Sequence, residues 1–216
     1  MTEVIARDAL WAMAHAERAA LAEDLADLTD EQWRRPSLCG EWVVEDVVAH
    51  LTAGASVGRW RWLVSVLSAR FDFDKHNARQ IAAYRGATPA ETLERFRAVR
   101  TSTTAPSGHT AAWLGEAVVH AQDIRRPLGL ARTPSTQAAT EVARFFATRD
   151  FTVSSHRAIA DLRLEATDGP FTVGTGPLVT GTTIALTMAM AGRAAYCEDL
   201  SGTGVPILRA RVQPEN

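Results

Sequence analysis

Glu116 and His120 stand four residues apart in the run Gly115-Glu-Ala-Val-Val-His120, an interval that brings both side chains to one face of a helix. A carboxylate oxygen and an imidazole nitrogen presented together can grip one cation. His50 lies in Val47-Val-Ala-His-Leu51, among apolar neighbours that turn it towards an interior. Two imidazoles and a carboxylate on facing helices would make a three-ligand metal site with an open position, the arrangement of catalytic zinc. The same donors also suit nickel, cobalt or Fe(II).

Plainer readings of the same residues stand beside this one. A chain with six histidines holds about 0.4 Glu–His pairs at this interval by composition alone. Glu116 with His120 is also what a solvated helix face presents, and His50 is also a core histidine bonded to a backbone carbonyl or to Asp46. Asp46 is a rival ligand as well. Arg125 and Arg126, at the end of the same helix, have forks that match a substrate carboxylate, or are solvated helix-end charges. The tryptophans, Trp33 and Trp42 among them, read as core, with Trp60 or Trp62 facing a pocket or the interface with a smaller domain.

These side chains need helices to carry them. Ile5, Leu10, Met13, Leu21, Leu25 and Leu28 recur at helical spacing in a first segment without Gly or Pro. Asp30 is placed to cap a short turn through Trp33, and Pro36, Ser37 and Gly40 break the pattern. A second helix, with His50, is expected from near Glu41 to about Ala69. Ala78 to Tyr84 follows, then Thr88-Pro89 opens a helix whose buried face is Leu93, Phe96 and Val99. The helix with Glu116 and His120 is expected over about Ala112 to Arg126, stopped by Pro127 and Gly129. Ser135 to Arg149 reads as a connector helix.

Beyond it the periodicity changes. Asp161 to Ala166 alternates, Asp168-Gly169 signals a hairpin, and Phe171 to Val173 completes two antiparallel strands. Gly181 to Met190 reads as an apolar helix ended by Gly192, and Val205 to Val212 as a final strand. The expected architecture is mainly α: a four-helix bundle in residues 1–150, then a small α+β (β-β-α-β) domain in residues 151–216.

The composition narrows the function. With 46% hydrophobic and 22% charged residues the chain is expected to fold. Twenty-three basic against 25 acidic residues give a net charge of −2, which offers no field for nucleic acid. Two cysteines, Cys39 and Cys197, suggest neither a disulfide framework nor a thiolate zinc site, and fit a reducing cytoplasm. Regular acidic interruption of the first 25 residues excludes a signal peptide, and no apolar run reaches the roughly 20 residues a membrane span needs. The pattern does not separate a monomer from a homodimer.

The segments Leu28-Thr-Asp-Glu-Gln-Trp33, Ser37-Leu-Cys-Gly-Glu-Trp42, Val47-Val-Ala-His-Leu51 and Gly115 to Leu130 together resemble the actinobacterial mycothiol-dependent maleylpyruvate isomerase family, of the DinB-like superfamily. Glu165-Ala-Thr-Asp-Gly169, Gly174-Thr-Gly176 and Ala191-Gly-Arg193 look like its sterol-carrier-like C-terminal domain. The resemblance implies a DinB-like bundle holding a divalent metal, zinc before nickel, on His50, Glu116 and His120. Metal-bound histidines need partners for their other ring nitrogen, for which Asp46 and Asp123 are candidates. It implies mycothiol as cosubstrate and a C-terminal arginine that contributes to activity, matched to Arg193, although Arg193 is equally placed to cap the preceding helix. The function expected is a metal- and thiol-dependent isomerase or transferase acting on a small electrophile. The alternatives are a small-molecule or lipid-binding protein with a structural metal and a zinc-dependent hydrolase, the latter without a general base in an HExxH arrangement.

Overall fold

A long amphipathic segment without Gly or Pro has one way to satisfy its backbone and bury its apolar stripe, which is to form a helix and pack it on others. The computed structural model describes residues 5–58, 73–105, 107–151 and 153–213, in two compact units, Met1–Arg132 and Thr133–Asn216.

The first unit is helical: α1 (Arg7–Asp24), α2 (Asp30–Trp33), α3 (Val44–Ser56), α4 (Phe73–Tyr84), α5 (Pro89–Ala98) and α6 (Thr110–Leu128). Helices α1, α3, α5 and α6 pack as a bundle, with α4 laid along α3. Leu21, Leu25, Trp33, Val44, Val47, Val48, Leu51, Leu93, Phe96 and Ile124 fill its core. Trp33 is core, as expected. The expected single helix from near Glu41 to about Ala69 is corrected: α3 ends at Ser56, where Val57 turns extended at φ −96° and ψ 111°, and Trp60 and Trp62 lie outside the described residues.

The ends of these helices follow local chemistry. Thr29, rather than Asp30, caps α2, accepting the Gln32 N–H while the Gln32 side chain accepts the Thr29 N–H, a reciprocal box that satisfies two end donors. Thr88 caps α5 with Pro89 in the first turn, as its sequence indicates. Helix α6 runs through Pro127 and stops at Gly129, whose φ of 69° is the left-handed cap that glycine adopts without a Cβ penalty.

The second unit holds α7 (Thr136–Thr148), α8 (Ser155–Ala158), β1 (Arg163–Ala166), β2 (Thr172–Val173), β3 (Leu178–Gly181), α9 (Thr183–Met190), a 3-10 turn over Ala194–Asp199 and α10 (Val205–Val212). The sheet order is β2-β1-β3. β1 and β2 pair antiparallel, as the hairpin signal predicts, and β3 lies parallel to β1. Gly174 and Gly176, at φ 75° and 124°, carry the chain from β2 to β3, where a Cβ would meet the carbonyls of Leu162 and Asp161 at 2.1 Å.

Three further expectations need correction. The segment Val205 to Val212 is helical, since Pro206 sits in a first turn and the residues it buries, Leu208 and Val212, are four apart. The third strand is instead Leu178–Gly181, ahead of α9, so the order is β-β-β-α rather than β-β-α-β. The boundary falls at 132/133 rather than 150/151, because α7 packs on α9 and belongs to the second unit. There Thr187 Oγ1 reaches the Ala139 carbonyl at 3.3 Å.

Candidate metal centre

Helices α3 and α6 bring three donors to one point. Glu116 Oε2 lies 3.3 Å from His50 Nε2 and 3.3 Å from His120 Nε2, and one donor atom from each of the three residues falls within 4.8 Å of the others. Donors about 2.1 Å from a tetrahedral ion stand about 3.4 Å apart, so this set fits a small divalent cation. The two imidazoles meet edge to face, with centroids 5.0 Å apart, which lets both Nε2 atoms converge without their rings colliding. Glu116 and His50 keep side-chain exposures of 26% and 21%, against 10% for His120. The cluster therefore opens to solvent from the Glu116 and His50 side.

The charge pattern suits a cation. Burial pushes the Glu116 carboxyl up, but the hydrogen bonds of His120 and His50 outweigh it and hold the group well below the usual carboxylate range. Burial disfavours a charged His120. Its contacts with Asp123, Cys39 and Glu116 prevail and hold the imidazole well above its ordinary value. An ion seated between the donors would take the place of the protons that this arrangement attracts.

Asp123 accepts from His120 Nδ1 at 2.9 Å and is fully buried. A proton held on Nδ1 leaves Nε2 as the donor facing Glu116, the arrangement by which a carboxylate orients a metal-binding histidine. Asp46 takes a different place. Its carboxylate accepts the Val43 N–H at 3.2 Å and pairs with Arg85 at 3.1 Å, so it caps the start of α3 and is neither a ligand nor the partner of His50.

The loop Ser37–Trp42 closes one side. Ser37 Oγ donates to the Trp42 carbonyl at 2.7 Å and accepts the Cys39 N–H at 3.0 Å, which fixes the turn. The turn sets the Trp42 ring 4.9 Å from that of His50 and 6.3 Å from that of His120. It also brings Cys39, a free thiol, into a second cluster with His120 and Asp123. Trp42 packs against the bundle core as expected and also flanks both imidazoles, while the place of Cys39 beside His120 and Asp123 is one that cysteine count and spacing do not indicate. In the sequence this turn is marked by the break at Pro36, Ser37 and Gly40 and by the signature Ser37-Leu-Cys-Gly-Glu-Trp42.

The arginines separate. Arg125 is fully buried, its Nε donating to Asp24 at 2.8 Å and its Nη1 to Glu17. This corrects the expectation that it meets a substrate carboxylate, since its charge is matched inside the bundle, between α1 and α6. Arg126 is half-buried. Arg193, in the second unit, donates from Nη1 to the Ala191 carbonyl at 2.7 Å, the contact expected of a residue capping α9.

Residues 14–108 match the family model described as Mycothiol maleylpyruvate isomerase N-terminal domain, a span that includes His50 and ends before Glu116. Two solved structures share the fold over 92% of this chain and 93% of theirs. One is a mycothiol-dependent maleylpyruvate isomerase at 13% identity and a TM-score of 0.61. The other is a histidine-to-alanine mutant of a protein so described, at 11% identity and 0.59. No curated protein matches the sequence. Among the described residues no helix is long and apolar enough to cross a membrane.

Proposed function

We propose, on the premise that residues 14–108 form a mycothiol maleylpyruvate isomerase N-terminal domain, that the chain is a metal- and mycothiol-dependent enzyme that isomerises a small electrophile or conjugates it. The carrying observation is the convergence of His50, Glu116 and His120 on one point, with Asp123 behind His120. A divalent ion held by those three, zinc by the family resemblance and abundance, would supply stabilisation of a thiolate at neutral pH.

The chain's own residues do the rest. Asp123 keeps the Nδ1 proton of His120 and so the direction of its Nε2. Trp42 packs beside both imidazoles and limits water at the donors. The open side at Glu116 and His50 is where a thiol and an electrophile would enter. Addition of the thiol sulfur to an activated double bond, rotation about the resulting single bond and expulsion of the thiol give isomerisation, whereas retention of the sulfur gives the conjugate. Arg126 is our candidate for an acidic substrate's carboxylate, and Arg193, by the family resemblance, for a residue that contributes to turnover.

Elemental analysis of the chain beside His50→Ala and Glu116→Ala, with turnover of activated alkenes followed with and without mycothiol, tests the reading. One metal per chain, lost in both variants, and turnover that needs the thiol are expected. A metal-free wild type, or turnover indifferent to mycothiol, overturns it. Arg193→Met is expected to keep the metal and lose turnover.

A further inference from the structure

A buried guanidinium in a folded bundle is ordinarily matched by carboxylates, because an unpaired interior charge is costly. Arg125 follows that rule with Glu17 and Asp24. Arg18, on the same helix α1, does not. It is 3% exposed, and among the described residues no carboxylate pairs with it. Its one hydrogen bond there runs from Nη1 to the Ser102 carbonyl at 2.8 Å, and its Nε is sealed from solvent without an acceptor. Burial alone pushes its pKa down to about 10, with no neighbouring charge acting on it.

The surroundings repeat the pattern. Trp11 is two turns before Arg18 and 4% exposed, and its indole Nε1 is likewise buried without a partner. The Arg18 guanidinium carbon lies 6.0 Å from the Trp11 ring centre. His15 stands between them, stacked on Trp11 at 5.9 Å and 3.2 Å from the same Ser102 carbonyl. Ser102 is itself fixed by its hydroxyl on the Ala55 carbonyl at 2.7 Å. The result is a buried cluster on α1, held against the end of α3 and the turn after α5, with two N–H donors that lack acceptors and a positive charge that no carboxylate meets among the described residues.

With Nη1 held by Ser102, the edge left is Nε with Nη2, whose two parallel N–H groups match the two oxygens of a carboxylate. We propose that Arg18, with Trp11, forms a binding subsite for a small organic carboxylate. The proposal concerns anion recognition and does not depend on a metal at His50, Glu116 and His120.

Calorimetric titration of the full chain with acetate, succinate and inorganic phosphate, beside Arg18→Met and Trp11→Phe, tests it. A carboxylate is expected to bind the wild type, at least ten-fold more weakly to Arg18→Met, and several-fold more weakly to Trp11→Phe, which keeps an aromatic ring but lacks the indole N–H. Without ligand, Arg18→Met is expected to melt no lower than the wild type, since it removes an unmatched charge. Repeating the titration in His50→Ala separates this site from the metal centre, and the same Arg18-dependent binding is expected there. Carboxylate binding that is absent, equal in Arg18→Met, or lost in His50→Ala overturns the proposal. Arg18-dependent binding of phosphate without carboxylate overturns it too.

Discussion

The backbone N–H of Leu38 donates to the carbonyl of Asp123 at 3.0 Å. That carbonyl would ordinarily receive the N–H four residues later, but residue 127 is a proline and has none. The proline that marks the end of α6 thus frees an acceptor, and the Ser37–Trp42 loop docks on it. Leu38 precedes Cys39, and the Asp123 side chain holds His120, so one backbone bond ties the loop to the candidate metal centre.

Restoring the helical donor should loosen this dock. Pro127→Ala is expected to preserve helix content while weakening zinc binding several-fold, measured by competition with a chromophoric chelator. Unchanged affinity would show that the loop seats independently of that carbonyl.

Asp123→Asn removes the carboxylate from His120 Nδ1 while keeping its size. Loss of such a partner costs about 10–100-fold in metal affinity, and the same competition assay reads it. Asp46→Asn should leave affinity unchanged within experimental error, because Asp46 serves Val43 and Arg85.

Arg125→Met leaves Glu17 and Asp24 without their shared buried partner, and breaking a buried pair from one side costs about 3–5 kcal/mol. Urea denaturation reads it directly. This loss should be far larger than that of Arg132→Met, whose side chain is 45% exposed.

Glu17 supplies a pH test. Burial raises its carboxyl above 4.5, against the opposing pull of Arg125. A group whose folded pKa is raised contributes stability that is full below its unfolded pKa and is lost as pH rises through the folded value. Relative to the wild type, Glu17→Gln should therefore lose less stability between pH 4.5 and neutrality. Parallel pH profiles of the two melting temperatures would contradict the assignment.

Gly176→Ala would place a Cβ 2.1 Å from the Asp161 carbonyl at a φ of 124°. The strain is expected to destabilise by at least about 1–3 kcal/mol, seen as a lower melting temperature.

What the sequence settled by itself is local. The Glu116–His120 interval, the Thr88-Pro89 start, the Gly129 stop and the Asp168-Gly169 hairpin all follow from backbone periodicity and capping within a few residues, and they stand in the structure. The resemblance extended this to His50, which periodicity alone left between ligand and core. The tertiary structure decided whatever depends on partners distant in the chain. Asp123 and Asp46 are equally plausible beside a histidine until the Ser37–Trp42 loop and Arg85 claim their positions. Arg125 is an end-of-helix cation until Glu17, 108 residues away, proves to enclose it. Arg18 reads as an ordinary helix cation until the Ser102 carbonyl, 84 residues on, meets its guanidinium. Val205 to Val212 alternates well enough for a strand, and the burial of Leu208 and Val212 together makes it a helix. Periodicity reports which face of an element is buried, and only packing determines what that face meets.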